Sequence, residues 1–294
     1  MRVVVTGANG MLGLDLCALL EKAGHQVVRT DVGVKEGMEV PPWDTLDITD
    51  TQATRQFVAK HRPDAVIHGA AYTDVDGCTR NPDLAYRVNA FGTWNLAAAC
   101  GEQNTTLFYI STDFVFDGHK GEPYTEFDTP HPLSYYGASK LAGEKLVAEL
   151  CRKHFICRTS WLFGVNGKSF PNTMLELAKT HTERFVVVDQ VGSPTSTLDL
   201  SRTLVSLLGS PLYGTYHITN SGHCSWFEFA KKTLELAGVH TMEVKPVPST
   251  QYPSPTKRPA YSVLRHYALE LQGRDDLPPW EAALAEYIHL RGNR

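Results

Sequence analysis

The sequence predicts an α/β protein built on a doubly wound parallel sheet, followed by a smaller domain of mixed structure. Short β-branched runs alternate with helical patterns through the first half of the 294 residues, which is typical of βαβ units. Beyond Trp161 the alternation becomes irregular and a proline-rich tract follows. We therefore expect one domain at 1–160, to which the helix near 196–209 returns, and a second at 161–294.

The individual elements follow from these patterns in chain order. The first half predicts strands at 2–6, 25–31, 63–71, 106–111 and 154–160, separated by helices at 10–24, 84–101 and 136–152. The second half predicts helices near 171–180, 198–208 and 225–237, with strands at 185–189 and 216–220. The prolines of 246–259 have no period, which predicts a surface loop that wraps on the fold or lines a cleft.

The composition excludes several classes of function. A hydrophobic content of 42%, a charged content of 20% and a net charge of -4 are ordinary for a soluble protein, so no nucleic acid is expected as a partner. The sequence contains neither a signal-peptide pattern nor an apolar run of about 20 residues, which predicts a cytoplasmic protein without a membrane anchor. Scattered cysteines and histidines predict reduced thiols and no metal site.

A glycine pattern occupies the turn between the first strand and the first helix. Gly7, Gly10 and Gly13 permit a tight turn, a close approach of phosphate to the backbone, and close packing of helix on strand. The N–H groups of a helix N-terminus favour the anion as well. The pattern predicts a Rossmann-type dinucleotide site that includes Met11 and Leu12, with a purely structural turn as the alternative.

Acidic residues follow at distances that suit the adenosine end of a dinucleotide. Asp31 closes the second strand, where a carboxylate accepts hydrogen bonds from ribose hydroxyls and repels a 2′-phosphate, which favours NADH over NADPH. Arg29 or Lys35 could still admit that phosphate, so either cofactor stays open. Asp47 and Ile48 are candidate contacts of the adenine, although Asp47 is also a natural helix cap.

Two neighbouring tyrosines precede a lysine in the stretch YYGASK, and helical spacing distinguishes them. Tyr136 and Lys140 are four residues apart on a predicted helix, so their side chains share one face, whereas Tyr135 is rotated away. A cation at about 4 Å can lower the pKa of a tyrosine by up to about three units. The spacing therefore selects Tyr136 as the proton donor to a carbonyl oxygen, although such a pair alone is common in ordinary helices.

Two hydroxyl side chains, Ser111 and Thr112, lie at the carboxyl end of the fourth predicted strand of the sheet. Open α/β sheets bind ligands at this end, and a hydroxyl there can stabilise negative charge that develops on a carbonyl oxygen. Taken alone, the pair would predict only a turn cap. Its position between the glycine loop and the YxxxK helix favours a catalytic role.

These motifs, with five further segments, resemble the extended short-chain dehydrogenase/reductase superfamily over nearly the whole chain. The segments are 62–90, STDFVFDG, RTSWLFG, DQVGSPT, and the pair Arg258 and Pro259. The resemblance implies that Thr112, Tyr136 and Lys140 are catalytic. It also implies that Ala70, Ala71 and Thr73 contact the cofactor and that Asn89 lies near the active site. The substrate contacts that it implies are Thr112, Asp113, Phe114, Trp161, Gln190, Gly192, Thr195 and Arg258.

Within this superfamily the chain is similar to enzymes that reduce nucleotide sugars. The resemblance implies that NADPH or NADH reduces the 4-keto group of dTDP-4-dehydro-L-rhamnose to give dTDP-L-rhamnose. Relatives that dehydrate such sugars carry Asp-Glu after the catalytic threonine, whereas this chain carries Asp113 and Phe114. Many of the reductases have tyrosine at the position of Phe114, so that hydroxyl is missing here.

Alternatives stay open at this point. The resemblance also extends to the non-catalytic β subunit of methionine adenosyltransferase, and to reductases or epimerases of other nucleotide sugars. Some relatives hold magnesium between subunits, and Asp15 is a possible counterpart of one ligand, but no full ligand set is evident. A homodimer is possible, and no metal is predicted.

Overall fold

The computed structural model describes residues 1–33 and 44–292, and Lys35 lies outside these ranges. The strands are β1 (Arg2–Thr6), β2 (Gln26–Asp31), β3 (Asp44–Thr45), β4 (Ala65–His68), β5 (Thr106–Thr112), β6 (His154–Thr159), β7 (Leu162–Phe163), β8 (Glu183–Val187), β9 (Val191–Gly192), β10 (Thr195–Ser196), β11 (Gly214–His217), β12 (Cys224–Ser225) and β13 (Glu243–Val247).

The helices connect these strands in a regular alternation only up to β6. They are α1 (Met11–Lys22), α2 (Thr51–His61), α3 (Val75–Arg80), α4 (Pro82–Tyr86), α5 (Thr93–Glu102), α6 (Tyr135–Leu150), α7 (Phe170–Leu177), α8 (Thr197–Leu207), α9 (Trp226–Leu236), α10 (Tyr267–Leu271) and α11 (Trp280–Gly292). Within the described ranges, no helix combines the length and apolar character needed to cross a bilayer.

A parallel seven-stranded sheet forms the centre of the molecule, in the order β11-β6-β5-β4-β1-β2-β3. Side chains alternate between its two faces: Val3 and Val5 belong to one buried cluster, and Val4 and Val66 to the other. Helices cover both faces, because α1 and α8 pack together on one while α5 packs against α2 and α6 on the other. The predicted doubly wound α/β fold is confirmed.

Two elements from the C-terminal half of the chain belong to this part of the molecule. Residues 214–217 form the edge strand β11 of the sheet, and α8 packs against α1. The division of the chain at residue 160 stays a prediction. The helices α9 and α11 pack around a second core that includes Phe163, Phe229 and Trp280, whereas α10 lies against β11. The mixed character of this part agrees with the irregular pattern of the sequence.

Some elements differ from the predicted ones. The helix predicted at 84–101 is divided, because a π-helical turn at Arg87–Gly92 separates α4 from α5. The helices α2 and α11 were not predicted. The proline-rich tract is partly regular, since β13 pairs with β8 and includes Pro246.

One buried ion pair joins α6 to the sheet. The Arg158 guanidinium donates from Nε to Glu144 Oε1 at 2.9 Å and from Nη2 to Oε2 at 2.7 Å, and both side chains are 5% exposed. Ser111 Oγ donates to the same carboxylate at 2.6 Å. These bonds fix the helix against the carboxyl ends of β5 and β6.

Replacement of Arg158 by methionine should destabilise the fold by about 3–5 kcal/mol, because the Glu144 carboxylate would stay buried without its cation. Urea unfolding measures this loss. The double variant Arg158→Met with Glu144→Gln should recover much of the loss, since no unpaired charge is left in the core. Equal unfolding free energies for the single and double variants would contradict this account.

Candidate active site

A cavity of about 1160 Å³ opens at the carboxyl ends of the sheet strands. Thr6, Asp31, Thr112 and Thr159, which end four different strands, all line it. Of the predicted site residues, the lining includes Gly7, Gly10, Met11, Leu12, Gly13, Asp31, Asp47, Ile48, Ala70, Ala71, Thr73, Thr112, Asp113, Phe114, Tyr136, Lys140, Trp161 and Arg258. Motifs that are far apart in sequence thus meet at one place.

Three predicted substrate residues, Thr195, Gln190 and Gly192, are not among the residues that line the cavity. Thr195 is fully buried in β10 and donates its hydroxyl to the carbonyl oxygen of Ser193 at 3.3 Å. Gln190 is half-buried and is not among the residues that line the cavity. Their contact with a substrate stays a prediction that the present arrangement of side chains does not support.

The glycine loop makes a tight turn that packs closely against the residues following β4. Gly7 has φ of 68°, in the left-handed region, and a Cβ there would lie 2.6 Å from the Ala70 nitrogen. Gly10 precedes α1, whose first turn has neither a side-chain cap nor an acidic residue. The N–H groups at this helix end therefore face the cavity without a competing side chain, which suits a diphosphate.

Two carboxylates, those of Asp31 and Asp47, also line the cavity. Asp31 Oδ2 accepts from the Asn9 amide at 3.0 Å and Oδ1 from the Val32 amide at 2.8 Å, so the carboxylate is held in place while each oxygen keeps a further lone pair. Asp47 accepts from the amide and hydroxyl of Thr49. It does not cap a helix, because Asp50 caps α2.

The choice between cofactors also involves cations near Asp31. Arg29, one of the two candidates for a 2′-phosphate contact, donates from Nη2 to Glu21 at 2.8 Å and is not part of the cavity lining. The other candidate, Lys35, lies outside the described residues. Of Asp31 and Arg29, only the acidic Asp31 therefore lines the cavity at the end of β2.

Helix α6 brings Tyr136 and Lys140 into the cavity. Ser134 caps the helix by accepting from the Gly137 amide at 3.1 Å, so the helix starts at Tyr135. Tyr136 and Lys140 then lie one turn apart and both line the cavity, whereas Tyr135 is 48% exposed outside it. The helical-face argument therefore predicts the placement of both tyrosines correctly.

Phe114 packs closely on the first turn of α6, beside Tyr136. A Cβ on Gly137 would collide with the carbonyl oxygen of Phe114. The Phe114 ring packs edge-on against Tyr136 with centroids 5.6 Å apart, so an aromatic wall is present without the hydroxyl of a tyrosine.

The adjacent hydroxyls Ser111 and Thr112 point to different places. Ser111 faces the Glu144 carboxylate, while Thr112 Oγ1 donates to Asp113 Oδ1 at 3.1 Å and accepts from the Phe114 amide at 3.2 Å. Neighbouring residues of a strand point to opposite faces, which explains the separation. Of the pair, Thr112 is the one beside Tyr136.

The protonation of Tyr136 and Lys140 differs from the expectation. Burial raises the pKa of Tyr136 above its ordinary range, and a hydrogen bond with Thr112 lowers it in part. Burial also lowers the pKa of Lys140 to about 7, against the opposing effect of Glu144. Tyr136 is therefore a neutral phenol near pH 7, the form that a proton donor needs, and its pKa is not lowered as the spacing suggested.

Asp113 is a buried carboxylate held entirely by protein donors. Its Oδ2 accepts from Ser262 Oγ at 2.6 Å, and Oδ1 accepts from Thr112. Burial raises the pKa of Asp113 from 3.8 to about 6, although both hydrogen bonds lower it. Ser262 follows the proline-rich tract, so this contact joins the C-terminal part of the chain to the catalytic strand end.

The predicted substrate end is an aromatic wall. Trp161 has φ of 46°, which is strained for a bulky residue, and its indole stacks on Trp226 with centroids 3.5 Å apart. A Cβ on Gly192 would lie 2.6 Å from Trp161 Cε2, so this glycine makes room for the indole. Arg258 lines the cavity and pairs with Asp76 at 3.4 Å.

Sequence reasoning missed other residues of the cavity. Trp226 lies on an amphipathic helix, a pattern that indicates core packing, and Lys168 gives no signal because it is a lone cation in a loop. Asn89, expected near the site, is buried and bonds to the amide and carbonyl of Tyr72 at 2.8 and 3.1 Å, so it positions a cavity-lining segment.

No group of three or more potential ligands that could hold a metal ion is found in residues 1–33 and 44–292. Asp15, the possible magnesium ligand, accepts from Asn166 Nδ2 at 2.6 Å and from the hydroxyl of Thr197. Its carboxylate is thus engaged inside the chain.

Comparison with known proteins gives full-length matches. A family model described as RmlD substrate binding domain matches residues 1–291. Spore coat polysaccharide biosynthesis protein SpsK of Bacillus subtilis (strain 168) is 40% identical over 99% of this chain and 98% of its own length. A dTDP-4-dehydrorhamnose reductase of Streptomyces griseus is 40% identical over 97% of this chain and 92% of its own.

A solved structure is similarly close. The crystal structure of dTDP-4-dehydrorhamnose reductase from Bacillus anthracis str. Ames, in complex with NADP, is 43% identical and has a TM-score of 0.92, covering 98% of this chain and 99% of that one. The likeness therefore extends through both the sheet and the C-terminal part.

The raised pKa of Asp113 makes stability depend on pH. Because the fold favours the protonated acid, its contribution is full below about pH 4 and is lost as the pH rises through about 6. Asp113→Asn cannot ionise, so its unfolding free energy relative to the native protein should rise by about 2 kcal/mol between pH 4 and pH 7. Urea unfolding at the two pH values measures this.

Asp117 provides a control of opposite sign. Hydrogen bonding to the His119 amide leads the effects that lower the pKa of Asp117, so Asp117→Asn should lose relative stability as the pH rises. A pH-independent difference for Asp113→Asn would contradict the assigned burial of its charge.

Proposed function

The chain belongs to the RmlD substrate binding domain family, and from this premise we propose that it catalyses reduction of the 4-keto group of dTDP-4-dehydro-L-rhamnose to dTDP-L-rhamnose with NAD(P)H. One observation carries the proposal. Tyr136, Lys140 and Thr112 line the same cavity as the glycine loop, so a hydride donor and a carbonyl substrate can meet there.

The residues of the glycine loop fit a dinucleotide. Gly7 permits the tight turn against the backbone of Gly69 and Ala70, and the uncapped start of α1 offers N–H groups to a diphosphate. Asp31 and Asp47 would hold the adenosine end, and Lys140 the nicotinamide ribose. A reduced nicotinamide supplies the hydride when it is bound.

Tyr136 supplies the proton that balances the hydride. As the C4 carbonyl carbon gains a hydride, its oxygen takes the proton of the Tyr136 hydroxyl, and the ketone becomes a secondary alcohol. The phenolate that remains is stabilised by the Lys140 ammonium and regains a proton from solvent. Thr112, whose hydroxyl here donates to Asp113 and accepts from the Phe114 amide, would turn its single proton to the carbonyl oxygen of the substrate and so orient the carbonyl.

The substrate end supports a nucleotide sugar. The Trp161 indole and the Phe114 ring offer apolar surfaces to a deoxy sugar, and Arg258 with Lys168 offers positive charge to a diphosphate. The position after Asp113 holds phenylalanine instead of the glutamate of the dehydrating relatives, which favours simple carbonyl reduction. The dTDP carrier is that of the Streptomyces griseus and Bacillus anthracis relatives.

We propose that either cofactor serves and that NADH is preferred. The Asp31 carboxylate at the end of β2 would repel a 2′-phosphate, and Arg29 is engaged by Glu21. The Bacillus anthracis relative was solved with NADP, which supports the use of NADPH as well. A cytoplasmic location and a homodimer stay predictions.

The assay follows nicotinamide absorbance with dTDP-4-dehydro-L-rhamnose and each cofactor. Tyr136→Phe should lower kcat by about 10²- to 10⁴-fold, because the proton donor is lost, and should leave cofactor affinity nearly unchanged. Tyr135→Phe is the matched control and should change kcat by less than about twofold, because its side chain is exposed outside the cavity.

Two results would contradict the proposal. Equal losses from both tyrosine variants would overturn the assignment of the acid. Cofactor binding without turnover of this sugar would overturn the reaction, and the same assay with other nucleotide sugars would identify a different substrate.

A further inference from the structure

The ammonium of Lys140 lies against an aromatic face. Its Nζ is 4.0 Å from the centroid of the Tyr109 ring, and the Lys140 side chain is buried, with the residue 3% exposed. Tyr109 itself is fully buried on β5. A cation over a ring face is attracted by the ring quadrupole, and this attraction is strongest where water is excluded.

The Tyr109 ring is held in its orientation by backbone contacts. Its hydroxyl lies 3.2 Å from the carbonyl oxygen of Lys140 and 3.4 Å from that of Asn89, which belongs to the π-helical turn. Gly143 lies in the interior of α6, where glycine weakens a helix, and a Cβ there would collide with this hydroxyl. The helix face that carries Lys140 is thus fitted to this tyrosine.

The other titratable groups around Lys140 lie on α6 and β4. On α6, Glu144 attracts the ammonium but is itself paired with Arg158, and Tyr136 is neutral. On β4, burial lowers the pKa of His68 to about 3, so this side chain is uncharged. Among these groups, the Tyr109 ring is the one that directly contacts the ammonium.

We propose that Tyr109 is a positioning residue whose ring face keeps Lys140 cationic and aimed into the cavity. The importance of this for turnover rests on the proposed function, because only there does Lys140 act on the cofactor and on Tyr136. The charge state of Lys140 is independent of turnover and can be measured in the protein alone.

Loss of the Tyr109 ring should change the pKa of Lys140 in one direction only. The ring stabilises the charged form, so its removal lowers the pKa of Lys140 and converts more of it to the neutral amine at neutral pH. The basic limb of the kcat/KM profile should then move to lower pH by about one unit. A general loss of packing would lower activity without moving this limb.

The direct test measures acetylation of Lys140 by acetic anhydride as a function of pH, quantified by mass spectrometry, since only the neutral amine reacts. Tyr109→Leu should lower the midpoint by about one pH unit. Tyr109→Phe, which retains the ring face and lacks the hydroxyl, should leave the midpoint within about 0.3 units. An unchanged midpoint in Tyr109→Leu, or equal shifts in both variants, would overturn the inference.

A second series keeps the test decisive if Tyr109→Leu does not fold. Phenylalanine with one, two or three ring fluorines at position 109 keeps the shape of the ring while weakening its quadrupole. The midpoint of Lys140 should fall with each added fluorine, and a constant midpoint would overturn the inference. A stepwise fall without turnover of any nucleotide sugar would sustain the inference and contradict the proposed function.

Discussion

The buried contact of Glu144 with Arg158 and Ser111 determines how α6 meets the sheet, and the geometry of the candidate site depends on it. A buried charge pair is costly unless it is fully hydrogen-bonded, and here both carboxylate oxygens have donors. Since the donors lie one residue before the ends of β5 and β6, the helix is fixed in rotation and height. Lys140 and Tyr136, one and two turns before Glu144, are thereby directed to the strand ends.

Burial sets the chemical state of the site more than any single pair of residues does. It raises the pKa of Tyr136 and lowers that of Lys140, so both groups are driven toward their neutral forms. A neutral phenol suits proton donation, whereas a neutral amine would not stabilise the phenolate that follows. The attraction of the Glu144 charge and the contact with the Tyr109 ring, which both favour the cation, therefore matter for the reaction as well as for packing.

The sequence was sufficient for the features that depend on local spacing. The alternation of apolar runs predicts the parallel sheet, the glycines predict the loop at the start of α1, and helical periodicity separates Tyr136 from Tyr135. The π-helical turn at Arg87–Gly92 was not predictable in the same way, because a continuous helical pattern runs through it. Local periodicity does not record such an inserted turn.

Features that depend on distant contacts could not be read from spacing. Trp226 reaches the cavity by stacking on Trp161, and Thr195 is buried in β10, which pairs with β7. The pKa of Tyr136 depends on desolvation, which needs the folded surroundings and not only a lysine four residues away. Such quantities require the three-dimensional arrangement.

The central claim is that this cavity directs a hydride to the C4 carbonyl carbon of a dTDP-linked sugar. The most direct measurement uses NADH or NADPH that carries deuterium at the transferred position and locates the label in the product by NMR. The account predicts one deuterium at C4 of dTDP-L-rhamnose. Label at another carbon, or product without label, would contradict it.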